Sequence, residues 1–316
     1  MQSQTAILCI AGPTASGKSS RAIEEALIRG GEVISVDSRQ VYRGLDIGTE
    51  KILPSEMRGV PHHLIDIREP RDAYSAGDFV EDATRLILEI TARGKLPILA
   101  GGTHFYFDAL LSGLPARVDA DHTLRAELEQ LPSEELYARI ASADARRASE
   151  LDPHNRRRLI RALEIIRAKG SVPERVKAPS EHYAVEWIVI DPSREELRPR
   201  IDARLASAFD RGLIDEVRRV REELAKPALG GSPDASQNED AFRADTRLDE
   251  LGLEYKIVGE YLKREVSNTE CLTLRQELQQ VLSAKLWQYA RRQKAWLRKL
   301  REEQVTSAAS SHPDRS

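Results

Sequence analysis

The chain has 316 residues, 41 % of them apolar and 31 % charged, enough apolar material for one large core or two smaller ones. Its formal net charge of −3 excludes a globally basic nucleic-acid binder, so any such role must rest on local patches. The two cysteines, Cys9 and Cys271, lie far apart, with neither a leader-like start nor a membrane-length apolar stretch, so we expect a cytoplasmic protein with no disulfide and no membrane role.

Residues 6–10 form a short apolar run, predicted as a buried strand. It ends in Gly12-Pro13-Thr14-Ala15-Ser16-Gly17-Lys18-Ser19, and a helical pattern through Ala22, Glu25 and Ala26 follows at once. This is G-x-x-x-x-G-K-[ST] between a strand and a helix start. In that setting the glycines turn successive backbone N–H groups toward one point, at the positive end of the helix dipole. Lys18 adds a mobile cation, and the Ser19 hydroxyl can ligate a Mg²⁺ that bridges bound phosphates. The pattern predicts a phosphate or diphosphate site, with ATP as the default guest; the alternative is a plain Gly-containing turn.

A second buried strand is expected over 32–37, which places Asp37 at a carboxyl end, the edge where open α/β sheets bind ligands. The polar and aromatic run Ser38-Arg39-Gln40-Val41-Tyr42 is suited to contacts at that rim. Residues 62–67 read as a third strand, 78–93 as a helix, and 96–100 as a fourth strand ending at Gly101-Gly102-Thr103. A nucleotide hydrolase usually ends a core strand on an acid that helps hold Mg²⁺ and positions the nucleophile. Here two glycines and a threonine stand there instead. The Thr103 hydroxyl can reach a phosphate oxygen or metal-bound water, or it can cap the next helix. Strand and helix alternate throughout, so the expected fold is α/β, a P-loop parallel sheet flanked by helices.

From residue 115 the texture changes to short, charged helices, read as a helical insert over 115–183. In Asn155-Arg156-Arg157-Arg158-Leu159-Ile160-Arg161, a helix would turn Leu159, Leu163 and Ile166 inward. Arg157 and Arg161 then sit one turn apart, able to straddle nucleic-acid phosphates or to pair with nearby acids. The core resumes with a fifth buried strand over 184–190 and helices over 195–210 and 214–224. The first of these carries Arg200 and Arg204 at i, i+4. Residues 227–245 read as a loose loop, followed by helices over 249–263 and 273–301. The last helix is the most basic part of the chain. Arg291, Lys294 and Arg298 share a face, and Trp287, Tyr289 and Trp296 interleave with them as base-stacking candidates or as core. The domain reading is therefore a discontinuous core, 1–114 and 184–304, an insert, 115–183, and a disordered tail, 305–316.

Taken together these motifs resemble the bacterial tRNA dimethylallyltransferase (isopentenyltransferase) family. The resemblance rests on 12–19, Val36-Asp-Ser-Arg-Gln-Val-Tyr42, Leu45-Asp-Ile-Gly-Thr49, Val60-Pro-His-His-Leu-Ile-Asp66, Ala73-Tyr-Ser75 with Asp78-Phe79, and Ala100-Gly-Gly-Thr103 with Tyr106. It continues through Arg158, Arg161-Ala-Leu-Glu-Ile165, Arg200-Ile-Asp-Ala-Arg204 and Gln288-Tyr-Ala-Arg-Arg-Gln-Lys-Ala-Trp296. It implies transfer of a dimethylallyl group from dimethylallyl diphosphate to N6 of the adenosine 3′ of a tRNA anticodon, releasing diphosphate. Lys18, Arg204, Thr103, the loop amides and a Ser19-bound Mg²⁺ would then stabilise the departing diphosphate. Asp37 would take the N6 proton, and Ser38, Arg39 and Gln40 would read the flipped-out adenine. Arg157, Arg158 and Arg161 would grip the anticodon stem-loop, with no obligate protein partner. Three departures from the common pattern stand out: Ser19 for Thr, Gly48-Thr49-Glu50-Lys51-Ile52 for Gly-Thr-Ala-Lys-Pro, and Leu253-Glu254-Tyr255-Lys256 for a Gly-Tyr-Arg loop. The competing readings are an adenine-nucleotide prenyltransferase and a P-loop small-molecule kinase.

Overall fold

A computed structural model describes residues 4–114, 118, 121–174, 182–226, 237–263 and 271–310. Five parallel strands, β1 (Thr5–Ala11), β2 (Gly31–Val36), β3 (His62–His63), β4 (Leu96–Gly101) and β5 (Tyr183–Val189), form one sheet in the order β3-β2-β4-β1-β5. The central strands are covered on both faces, which is why β1, β2 and β4 read as unbroken apolar runs rather than alternating ones. Cys9 is a buried free thiol in β1.

Register decides where the chemistry sits. Ala11 pairs with Gly101, and Gly101 with Val36, so the last residues of β1, β4 and β2 lie in one row. The residues that follow them, Gly12, Gly102-Thr103 and Asp37, therefore emerge at one edge of the sheet. The strands can approach this closely only because Gly101 lacks a side chain: a Cβ there would sit 2.0 Å from the Val36 carbonyl oxygen.

Two expected strands differ. The third stops after His63, because Leu64 and Asp66 adopt left-handed backbone (φ 61° and 54°). The chain there leaves the sheet, and the Asp66, Ile67 and Arg68 amides donate to the Gln40 and Val41 carbonyls instead. The fifth is half exposed rather than buried, because it is an edge strand with a neighbour on one side only.

Helix α1 (Lys18–Arg29) begins at Gly17, whose φ of 89° makes the turn out of the loop. Helix α2 (Ala76–Ala92) begins at a capping box of Ser75 with Asp78. It is followed by α3 (His104–Ser112), directly after Thr103. The described residues fall into two compact units, one within 1–107 and 182–316, the other within 108–181.

The smaller unit holds α4 (His122–Glu129), α5 (Ser133–Ala143), α6 (Ala145–Ser149) and α7 (Arg156–Lys169) around Leu128, Leu136, Ile140 and Leu159. In the larger unit, α8 (Arg194–Asp210), α9 (Leu213–Ala225), α10 (Gln237–Leu251), α11 (Leu253–Leu262) and α12 (Cys271–Ser310) build a second core. That core includes Leu205, Val217, Leu248 and Leu286, and Val41, Tyr42 and Leu45 from the segment after β2 join it.

The expected loop over 227–245 is in part helix, since α10 starts at Gln237; residues 227–236 lie outside the described residues. The expected single helix over 249–263 is broken at Gly252, with φ 143°. The backbone of α12 stays helical through Ser310, beyond the Val305 where the tail was expected to start, and 311–316 lie outside the described residues. Among the described residues no helix is long and apolar enough to cross a membrane.

Candidate active site

The loop from Gly12 to Ser19 opens into a cavity of about 380 Å³ at the carboxyl edge of the sheet. Thr14 to Ser19 form one wall, and Asp37 to Gln40 and Gly101 to Thr103 form the next. Lys18, at the start of α1, donates to the Pro13 carbonyl at 2.7 Å. Burial pushes its pKa down to about 8, with Asp37 opposing that fall and Arg204 adding to it. The Ser16 hydroxyl is buried in the same loop and has no hydrogen-bond partner among the described residues. A buried, unpaired hydroxyl beside a lysine and a helix N-terminus is a set of donors that an anion would satisfy.

Asp37 is held from its own backbone. The Arg39 and Gln40 amides both donate to Oδ1, at 2.8 and 3.3 Å, and the other oxygen, Oδ2, takes none of the described hydrogen bonds. Across the strand gap, the Thr103 hydroxyl accepts from the Ser38 amide at 3.0 Å, so it ties the β4 rim to the β2 rim. Gln40 is anchored by its Nε2, which donates to the Thr49 and Glu50 carbonyls at 3.3 Å each.

Arg204 reaches the loop from α8 and donates to the Thr14 hydroxyl. Its guanidinium also lies 3.6 Å from Glu50 and 3.9 Å from Glu254. Arg200, expected beside it, is exposed and takes no part in the cavity, because α8 turns only the 204 position toward the loop while Ile201 and Leu205 enter the core. Glu254 is mostly buried, and burial raises its pKa, with Arg204 opposing the rise.

Three contributors to this site were not legible as such in the chain. Gln293 of α12 is buried; its Oε1 accepts from the Thr14 amide at 2.9 Å and its Nε2 donates to the Gly102 carbonyl at 2.9 Å. One side chain thus joins the phosphate loop to the β4 rim, and either backbone group left buried and unpaired would cost about 1–3 kcal/mol. Its signal was a polar residue within the inward stripe Leu286, Ala290, Gln293, Leu297, all buried. Glu50 and Glu254 are the other two, both at positions where the sequence departs from the family pattern.

The last helix otherwise divides its side chains between structure and surface. Trp296 stacks on His104 at 4.3 Å, and Trp287 packs on the helical core under Arg194 and Arg198. Lys294 pairs with Asp191, Tyr289 lines the cavity, and Arg291 and Arg298 are exposed. His104, beneath the loop, has its pKa pushed down to about 4, by burial first and then by the Lys18 charge, against a hydrogen bond with the Gly12 backbone. It is a neutral packing group at physiological pH.

Among the described residues no three His, Cys, Asp or Glu side chains come together as a metal cage. The oxygens present, the Ser16 and Ser19 hydroxyls and the Asp37 carboxylate, suit a hard cation carried largely by phosphate oxygens and water.

A family model described as IPP transferase matches residues 40–300. The chain belongs to the IPP transferase family. A tRNA dimethylallyltransferase from Thermomicrobium roseum is 39 % identical over 310 residues, 96 % of this chain and 86 % of that relative. The crystal structure of a tRNA isopentenylpyrophosphate transferase from Bacillus halodurans matches with 36 % identity and a TM-score of 0.61, covering 93 % of this chain and 87 % of that one. A eukaryotic dimethylallyltransferase crystallised acting on tRNA matches with a TM-score of 0.74 at 27 % identity, over 93 % and 70 % of the two chains.

In this IPP transferase the arginines of α7 separate into two kinds. Arg157 and Arg158 are exposed at the first turn. Arg161 is tied down: it donates to the Val118 carbonyl at 2.7 Å and, with Arg125, holds the buried Glu164. Arg156 is likewise structural, capping the end of α4 through the Glu129 and Leu131 carbonyls.

Charge at Lys18 yields a prediction. A lysine of pKa about 8 binds an anion only in its protonated form, so affinity is full below that pH and lost as pH rises through it. Between pH 7 and 9 the Kd for inorganic diphosphate should weaken about tenfold relative to Lys18→Arg, whose charge does not titrate in this range. Calorimetric titration of both proteins across that range measures the difference, and parallel curves would place the Lys18 pKa elsewhere.

Proposed function

We propose that the protein transfers the dimethylallyl group of dimethylallyl diphosphate to N6 of the adenosine 3′ of the anticodon in tRNA. The observation that carries this reading is that the phosphate loop with Lys18, the Arg204 guanidinium and the Asp37 carboxylate all line one cavity. The N6 lone pair forms the new bond to the allylic carbon, the carbon–oxygen bond breaks, and its electron pair leaves with diphosphate. Lys18, Arg204, Thr103 and the loop amides stabilise that growing negative charge. Asp37 accepts the proton that N6 sheds, which an exocyclic amine needs because its lone pair is delocalised into the ring. The Ser19 hydroxyl would hold Mg²⁺ there, and the ion would supply further positive charge to the leaving group when bound.

Ser38, Arg39 and Gln40 stand at the Asp37 rim as the residues that read the extruded base. Arg157 and Arg158 are the exposed cations of α7 that can meet the phosphates of the anticodon stem-loop. The deciding experiment is mass spectrometry of an anticodon stem-loop RNA and, separately, AMP, each incubated with the protein, Mg²⁺ and dimethylallyl diphosphate. We expect one added C5H8 unit on the adenosine 3′ of the anticodon and none on AMP. Modification of AMP alone would identify a nucleotide prenyltransferase, and no transfer to either would overturn the reading.

A further inference from the structure

Glu216 lies outside the cavity, is only 1 % exposed, and carries a carboxylate with no lysine, arginine or histidine paired to it among the described residues. It stands in the first turn of α9. Its oxygens accept four hydrogen bonds: Oε2 from the Asp46 and Ile47 amides at 2.9 and 2.7 Å, Oε1 from the Gly48 amide at 2.9 Å and the Tyr255 hydroxyl at 2.7 Å. Three successive amides converging on one anion are what compensates the buried charge. Two of the four donors, Gly48 and Tyr255, line the cavity, each with its neighbours, Thr49 and Glu50 in one segment and Leu253 and Glu254 in the other. They pack tightly, since a Cβ on Gly48 would meet the Tyr255 ring at 2.9 Å.

From this joint a chain of contacts leads to the reacting atoms. The loop held by Glu216 presents the Thr49 and Glu50 carbonyls that anchor Gln40. The amide of Gln40 in turn holds Asp37 Oδ1. The same loop carries Glu50, which accepts from Arg211 at 2.5 Å and lies beside Arg204. Among the described residues Glu216 makes no direct hydrogen bond to the phosphate loop, whose groups are tied by Gln293 and Arg204.

We infer that Glu216 is a positioning residue for prenyl transfer: its carboxylate joins residues 46–48 to Tyr255 and so aims Gln40 and Asp37, and it bears on the diphosphate side only indirectly, through Glu50 beside Arg204. This rests on the prenyl-transfer reading given above. In the full chain, Glu216→Ala should lower kcat for the stem-loop RNA at least 30-fold while the Kd for inorganic diphosphate stays within threefold of wild type. Hydrogen exchange at the Asp46, Ile47 and Gly48 amides should quicken at least tenfold. Glu216→Gln, which keeps one acceptor oxygen, should fall between, and it carries the same readings if the alanine variant does not fold. The inference is overturned if the substituted protein keeps kcat within threefold, keeps those amides protected, or loses diphosphate binding in step with kcat. A wild-type protein that fails to prenylate RNA would sink the functional reading instead, and the exchange and diphosphate measurements would still judge Glu216.

Discussion

Asp37→Asn is expected to lower kcat for prenyl transfer about 10³-fold while leaving the Kd for diphosphate within a few-fold of wild type. The substitution is chosen to separate shape from proton acceptance. An asparagine side chain is as large as aspartate, and its carbonyl oxygen can still accept from the Arg39 and Gln40 amides that hold Oδ1 in place. It cannot take up the N6 proton. Lys18 loses a favourable neighbour, since Asp37 is the group that opposes the fall in its pKa, so diphosphate binding should begin to weaken at a slightly lower pH. Single-turnover rates with bound RNA, measured beside diphosphate titrations, test both parts. A rate within tenfold of wild type would assign proton removal to another group.

Arg204→Ala should be nearly as costly for a different reason, with kcat falling about 10²–10³-fold and the inhibition constant for product diphosphate rising in parallel. The guanidinium is the cation brought to the loop from outside it, and it donates to the Thr14 hydroxyl at the loop's entrance. Its loss also leaves two carboxylates, Glu50 and Glu254, facing a polyanionic ligand, with Arg211 still paired to Glu50. Glu254, whose pKa Arg204 no longer holds down, repels the ligand where it remains ionised, so at alkaline pH the double variant Arg204→Ala, Glu254→Gln should bind diphosphate more tightly than Arg204→Ala alone. Equal affinity in the two variants would remove Glu254 from the electrostatics of the site. Arg204→Lys restores charge but not the planar fork, and should recover only part of the rate.

Much of this site was legible because its parts are local. A strand, a glycine-bounded turn and a helix start make the phosphate loop within fifteen residues, and Asp37 and Thr103 follow strands whose apolar runs mark their ends. The third strand was overextended because a run such as Leu64-Ile65-Asp66-Ile67 looks apolar enough to pair. Its left-handed turns at Leu64 and Asp66 follow from hydrogen bonds to the Gln40 and Val41 carbonyls, which no local pattern reveals. Helical spacing puts Arg161 with Arg157, and the family resemblance puts it with Arg158; that its guanidinium is also held by Glu164 and the Val118 carbonyl is visible only in the tertiary structure.

By itself, then, the sequence determined the α/β class, the glycine-bounded loop after β1 and the acid at the end of β2, because each depends on residues that fold against their immediate neighbours. The tertiary structure decided which distant side chains complete them. Gln293 meets Thr14 across 279 residues, Arg204 meets it across 190, and Glu216 meets Gly48 across 168. The physical reason is that folding itself creates the need these side chains fill. The amides of residues 14 and 46 to 48 require partners only once packing has taken them out of water, and a carboxylate or carboxamide becomes their ligand only when a helix from elsewhere in the chain arrives beside them.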